Sequence, residues 1–122
     1  MNNIKENKKY DLEERTAKFG QEVIIFCKSI PQGVITNPLI SQLVKAGTSV
    51  GANYAEADDA ESKQDFRHKI GICKKESRES KHFIRMIATA VPALEKDSKI
   101  LWQEAKELNL IFASIIRSAN AH

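Results

Sequence analysis

Glycine, proline and cysteine are scarce in this chain of 122 residues, which has five glycines, three prolines and two cysteines. The scarcity of glycine and proline, with abundant alanine, leucine, isoleucine, lysine and glutamate, favours helices. No stretch alternates apolar and polar residues over a useful length, so strands are not predicted, and no internal repeat is evident. A hydrophobic content of 42% and a charged content of 29% are ordinary for one globular domain and exclude wholesale disorder.

Long apolar runs are also missing. The longest, "VIIFC" and "LIFA", fall far short of the roughly 20 residues that a membrane span needs. The start, "MNNIKENKKY", lacks the apolar stretch of a signal peptide. Cys27 and Cys73 have no CxxC spacing and lie among apolar residues, so we expect reduced core thiols. These features predict a soluble cytoplasmic protein without a membrane contact.

Motifs for catalysis or metal binding in the structural context that they need are missing as well. There is no HExxH and no glycine-rich phosphate loop. The stretch "GTSVG" at 47–51 has the GxSxG spacing, but it lies inside a predicted helix and not at the strand-to-helix turn that a nucleophilic serine of this kind needs. His68 and His82 would lie about 21 Å apart on one helix, too far to share a metal ion. Glu76 and Glu79 lie one turn apart, and a structural role is favoured over a metal–carboxylate centre, because such centres use an ExxH pair on each of two helices and the sequence has one such pair, Glu79 and His82. We therefore predict no catalytic, cofactor-binding or metal-binding residue, and no enzyme.

The first helix is predicted from Asp11, a candidate N-cap, to Ile30, ahead of a proline-containing turn. Residues 1–9 are polar and lysine-rich, and are expected to be a flexible tail. Spacings of three and four predict that one face of the helix is buried. The residues of that face are Leu12, Thr16, Phe19, Val23, Phe26 and Ile30.

The second helix is predicted to begin with Asn37 as N-cap and Pro38 at the first helical position, and to continue through Ala57. It is almost uncharged, which is typical of a helix that is buried on more than one side. Gly47 and Gly51 would each cost about 1 kcal/mol against alanine in a helix interior. A close packing contact is therefore expected at both glycines.

The third helix is predicted from Ser62, an N-cap with Asp65 three residues later, to about Val91. The fourth runs from Asp97 or Ser98 to about Ser118. Its predicted core face consists of Leu101, Leu108, Ile111, Phe112, Ile115 and Ala119.

Trp102 lies off the core face of the fourth helix, which fits either a subunit contact or a partly buried tryptophan. Short connections favour antiparallel neighbours. The prediction is all-α: one antiparallel up-down-up-down four-helix bundle over residues 10–122.

Positive charge is concentrated on the third helix, in "FRHKIGICKKESRESKHFIR". The net charge of the chain is only +3, whereas residues 63–85 carry eight basic against three acidic side chains. On a helical wheel, with about 100° per residue, six cations fall within an arc of about 60°. Asp65, Glu76 and Glu79 lie on the far side of the wheel. We call these six residues the basic strip: Lys63, Arg67, Lys74, Arg78, Lys81 and Arg85.

Two interpretations of the basic strip are open. Like charges four residues apart, such as Lys63 and Arg67, destabilise a helix by about 0.2–0.5 kcal/mol per pair, so a group outside the helix should compensate them. The strip is either a solvated face or one that pairs with acidic residues of a neighbouring helix or subunit, for which "EADDAE" at 56–61 is the candidate. Alternatively, its length of about 33 Å suits a nucleic-acid backbone.

The central sequence also resembles a known family. The matching stretches are "SVGANYAEA" at 49–57, "SKQDFRHKIGI" at 62–72, "KKESRES" at 74–80 and "IIRSAN" at 115–120. They are similar to the four-helix-bundle proteins of the S23 group, which are encoded within intervening sequences of bacterial 23S ribosomal RNA genes. The likeness covers about residues 11–119.

The resemblance implies an antiparallel four-helix bundle assembled as a homopentamer, and it supplies no catalytic residue. Related bundles are accessory subunits of diversity-generating retroelements, in which a basic pentamer engages nucleic acid and a reverse transcriptase. A ring would repeat the basic strip around its axis. The prediction is a non-enzymatic homo-oligomer that binds nucleic acid, RNA in preference, through the strip. The alternative is an interaction scaffold or accessory subunit with an acidic protein as partner.

Overall fold

Four long helices form the bundle in the computed structural model, which describes the backbone of residues 4–121 and the side chains of residues 12–121. The elements are α1 (Ile4–Lys28), α2 (Thr36–Asp58), α3 (Lys63–Ala90), a 3-10 turn (Pro92–Leu94) and α4 (Glu95–Ala121). α3 packs against both α2 and α4, whereas α1 packs on α2 and only sparsely on α4. The predicted antiparallel four-helix bundle is confirmed, and no strand occurs in residues 4–121.

The start of α1 differs from the prediction. The helix begins at Ile4, so Asp11 lies inside it and is not its N-cap. No glycine or proline lies between Ile4 and Asp11 to interrupt the helix, which explains the earlier start. Of the predicted flexible tail over residues 1–9, residues 1–3 lie outside the described residues and the backbone of residues 4–9 is helical.

The start of α2 is also corrected. Asn37 is not the N-cap, because the helix already begins at Thr36 and the preceding Ile35 has no capping side chain. The Thr36 hydroxyl donates to the carbonyl oxygen of Pro31 at 2.6 Å, and Oδ1 of Asn37 accepts from the N–H of Gly33 at 3.1 Å. These polar side chains therefore brace the α1–α2 connection rather than cap α2.

The predicted start of α3 is confirmed. Oγ of Ser62 accepts from the backbone N–H of Asp65 at 3.0 Å, which satisfies one of the free donors of the first turn. α4 starts at Glu95, slightly before the predicted Asp97, because the 3-10 turn that holds Pro92 leads directly into it.

The core lies between the predicted faces of the helices. All six residues predicted for the buried face of α1 are buried. On α4, Leu101, Leu108 and Phe112 are buried, but Ile111, Ile115 and Ala119 are only partly covered. Ala105 is fully buried in their place, because the core-facing side of α4 is rotated towards the 101–105–108–112 line.

The two glycines of α2 have the expected packing role. A Cβ atom on Gly47 would lie 2.7 Å from Cγ2 of Val23, and one on Gly51 would lie 3.3 Å from the backbone of Thr16. Both contacts are with α1, so the small residues allow the backbones of α1 and α2 to approach closely within the chain.

We predict opposite effects for two glycine-to-alanine substitutions. Gly47→Ala should lower the free energy of unfolding by about 1–3 kcal/mol, because the methyl group meets Val23. Gly71→Ala in α3 is the matched control: its Cβ would have no atom within 4 Å, and helix propensity should raise stability by about 0.5–1 kcal/mol. Urea denaturation measures both, and equal effects would contradict the α1–α2 contact.

Candidate nucleic-acid interface

The basic strip lies on α3 from its first residue, Lys63, to Arg85, a rise of about 33 Å along the helix axis. Four of its side chains are exposed, and those of Arg67 and Lys81 are half-buried. Their direction is set by a stripe of buried residues on the neighbouring arc of the helix. That stripe consists of Ile70, Cys73, Ser77, Ser80, Ile84 and Ile87.

Five of the six strip residues follow the seam between α3 and α4. Lys63 and Arg67 line a groove of about 360 Å³ with Ile115 and Ala119 near the end of α4. Further along, the Asn109 side chain donates to the carbonyl oxygen of Lys74 at 2.8 Å, which ties the two helices together.

At the far end of the strip, Nζ of Lys81 lies 5.5 Å from the centre of the Trp102 ring, and Arg85 lines a second groove against the first turns of α4. The helical wheel predicted one continuous edge of α3, and the structure places five of its six residues beside α4.

Arg78 is the exception in this arrangement. It lines a groove of about 510 Å³ together with Gln42 of α2 and with Glu79, His82 and Phe83 of α3. On the wheel Arg78 is the strip residue farthest from the buried face of α3, so its long side chain reaches the α2 side as easily as the α4 side. The structure thus brings five strip residues to one seam and separates the sixth.

The strip cations are not neutralised by acidic side chains of the described chain. Within residues 12–121, none of the six forms an ion pair. In the acidic segment 56–61, Glu56 pairs with Lys69 at 2.9 Å instead. That hydrogen bond raises the pKa of Lys69, which lies on the α2-facing edge of α3. The strip therefore does not pair with this segment inside one chain.

The acidic side chains of α3 lie on the opposite edge, as the wheel predicted. Glu76 is half-buried, and this burial raises the pKa of its carboxyl, with a further contribution from the nearby Glu79. The positive charge of Lys45 on α2 lowers the same pKa, so Glu76 lies near the α2–α3 seam. α3 thus separates its charges: acids towards α2, and most of its cations towards α4.

Trp102 and Lys106 belong to the interface although the sequence did not predict them as site residues. Nζ of Lys81 and Nζ of Lys106 each lie 5.5 Å from the centre of the Trp102 ring, a distance typical of cation–π contacts. Lys106 follows Trp102 by one helical turn, a spacing visible in the sequence. The contact with Lys81 depends on the register between α3 and α4, which local spacing does not contain. Trp102 is half-buried, which agrees with its interpretation as a partly buried tryptophan.

Nucleophilic and metal-binding groups do not gather at this surface. No cluster of three His, Cys, Asp or Glu residues that could hold a metal ion occurs in the described part of the chain. Cys27 and Cys73 are free, buried thiols, as predicted. Burial raises the pKa of Cys27 to about 11 and that of Cys73 to about 12, which suppresses the reactive thiolate form.

None of the described helices contains a segment both long enough and apolar enough to cross a membrane.

Comparison with known proteins gives a family match and a structural match of note. The model of a family described as 23S rRNA-intervening sequence protein matches residues 8–114. A crystal structure of a protein with unknown function from the S23 ribosomal protein family of Bacteroides thetaiotaomicron is similar, with a TM-score of 0.77 and 24% identity over 86% of this chain and 97% of that one. At 24% identity, this structural likeness shows that the two proteins share a fold. No curated protein matches the chain. The resemblance predicted from the sequence is confirmed.

Proposed function

Because the chain belongs to the 23S rRNA-intervening sequence protein family, we propose that it is a non-enzymatic cytoplasmic protein that binds nucleic acid through the basic strip. The supporting observation is the row of six cations without ion-pair partners among the described residues, along about 33 Å of one helix. Exposed lysine and arginine side chains in such a row contact successive phosphates and release their counterions. The helix is then relieved of its like-charge repulsion by the ligand.

The proposed contacts position a backbone rather than read a sequence. Arginine forks and lysine point charges bind phosphate oxygens and carry little information about the bases. We therefore expect weak sequence preference and strong salt dependence. RNA stays the first candidate, as in the sequence analysis, although the family description names an intervening sequence of 23S rRNA and no ligand. RNA and DNA are therefore compared directly.

We further propose that the protein acts as a homo-oligomer, a homopentamer by its resemblance to the S23 group. The supporting observation is the edge between α1 and α4, where packing is sparse. Ile25 of α1 and Ile100 of α4 line one groove there and are 68% and 70% exposed. Large apolar side chains side by side on a surface are typical of a protein contact. A ring closed through this edge would repeat the basic strip once per subunit.

An interaction scaffold is the alternative function. The same unpaired cations fit an acidic protein, or residues 58–61 of a neighbouring subunit, as well as they fit phosphates. The two proposals differ in one measurable respect, because only the first requires direct binding of purified protein to nucleic acid. The experiment therefore uses purified components alone.

Charge reversal of Arg67, Arg78 and Arg85 to glutamate should weaken nucleic-acid binding by about 10- to 1,000-fold, since three phosphate contacts become repulsive. Fluorescence anisotropy of labelled 20-nucleotide RNA and DNA at low salt measures the dissociation constants.

The matched control reverses Lys28, Lys45 and Lys96, which are exposed and outside the strip, so the net charge changes by the same amount. The control should lose much less affinity. Equal losses in both triple variants would contradict a localised site, and undetectable binding of the unmodified protein would favour the scaffold.

The oligomer should appear in native mass spectrometry at about 69 kDa, five times the chain mass of 13.7 kDa. Ile100→Lys should dissociate it, because a charge would be buried in the proposed subunit contact. Val34→Lys, an equally drastic change at a residue that is 94% exposed in the α1–α2 connection, should leave the assembly intact. A monomeric mass for the unmodified chain would refute the oligomer.

A further inference from the structure

The Arg85 end of the basic strip opens into a groove of about 420 Å³ between the last turns of α3 and the first turns of α4. Its volume lies in the range of small-molecule pockets, which is about 300–1,000 Å³. Six of the lining residues bear functional groups: Arg85, Thr89, Glu95, Ser98, Lys99 and Trp102. Two of these are already engaged, since the Thr89 hydroxyl donates to the carbonyl oxygen of Arg85 and Glu95 pairs with Lys99. The groove thus joins cations, a carboxylate, hydroxyls and an aromatic ring at one end of the proposed phosphate track.

Ser98 is unusual within the described residues. Its side chain is 2% exposed, and its Oγ is the one buried side-chain oxygen or nitrogen there that lacks a hydrogen-bond partner. The buried serines of α3 behave differently, since Ser77 and Ser80 donate to carbonyl oxygens of their own helix at 2.8 Å. Buried polar groups are normally satisfied, so an unpartnered hydroxyl on a groove wall points to a polar ligand.

Trp102 contributes part of its ring to the same groove. Lys81 and Lys106, whose Nζ atoms lie over the ring, are not among the groove-lining residues. An aromatic ring beside a cationic track is the arrangement with which proteins stack the bases of single-stranded nucleic acid.

Cations flank the ring on both helices. Arg85 is exposed on α3, and Lys99 is exposed on α4, where it pairs with Glu95 at 3.3 Å. A solvent-exposed pair of this kind contributes little to stability, so Lys99 can exchange its carboxylate for a phosphate. The groove therefore offers two positive groups on either side of the space beside Trp102.

We propose that this groove binds one unstacked nucleobase of a single-stranded nucleic acid whose backbone follows the basic strip. The base stacks on Trp102 and hydrogen-bonds with the Ser98 hydroxyl, while Arg85 and Lys99 contact the adjacent phosphates. This inference rests on the proposed function and narrows its ligand to single strands or to duplexes with an unpaired base. A fully paired duplex keeps its bases stacked and cannot fill the groove.

The test uses Trp102→Ala in the full chain, with a mixed-sequence 20-nucleotide single strand and the same strand annealed to its complement, each as RNA and as DNA. The substitution should weaken single-strand binding by about 5- to 100-fold, the range expected for one stacked base, and leave duplex binding within about twofold. Trp102→Phe should restore most of the loss, because it keeps an aromatic face. Ser98→Ala should weaken single-strand binding by about 3- to 10-fold. Thermal melting verifies that each variant is folded.

Trp102 is the only tryptophan of the chain, so its fluorescence also reports occupation of the groove directly. Single strands should quench it in parallel with the anisotropy signal, and the duplex should quench it less. Unchanged single-strand affinity in Trp102→Ala, or equal losses for single strand and duplex, would overturn this inference and leave the phosphate contact of the strip standing. Failure of the unmodified protein to bind any of the four probes would overturn the proposed function and the base-binding groove together.

Discussion

The rotation of α3 about its own axis is the constraint on which the candidate interface depends. Ile70, Cys73, Ile84 and Ile87 of this helix are fully buried, and α2 and α4 pack on the two flanks of the stripe that they form. Turning the helix by one residue, about 100°, would carry cations towards the core, where an unpaired charge is very unfavourable. The hydrophobic stripe therefore decides that the strip borders α4 and that the acidic residues of α3 border α2.

Elsewhere in the bundle, a cation that connects two helices is paired with acidic side chains. Arg15 of α1 donates to both carboxylate oxygens of Glu104 of α4 at 2.7 and 2.8 Å and reaches Glu107 at 2.8 Å. These hydrogen bonds hold the pKa of Arg15 well above its usual range. Such a fork connects two helices that otherwise pack sparsely. Against this background, the unpaired strip on α3 is a local property of one seam and is consistent with a surface adapted to an external anion.

Local chemistry allowed most of the fold and part of the site to be predicted. Helical spacing predicted the core face of α1 and the strip, and the residue types at 62 and 65 predicted the Ser62 cap. Each of these features depends on residues within a few turns of one helix. The prediction placed the start of α1 at Asp11, which is a good capping residue. The helix begins earlier because no glycine or proline between Ile4 and Asp11 interrupts it. The Trp102–Lys81 contact and the groove around Ser98 depend on how α3 and α4 are shifted along each other. That shift results from packing between distant parts of the chain, which helical periodicity does not encode.

The salt dependence of RNA binding tests the central claim most directly. If all six strip cations of a subunit contact phosphates of a single-stranded RNA, a plot of log K against log salt concentration should have a slope of about −4, from about 0.7 counterions per contact. Contact with fewer phosphates would give a proportionally shallower slope. Binding that does not change between low and physiological salt would contradict an interface built on phosphate contacts.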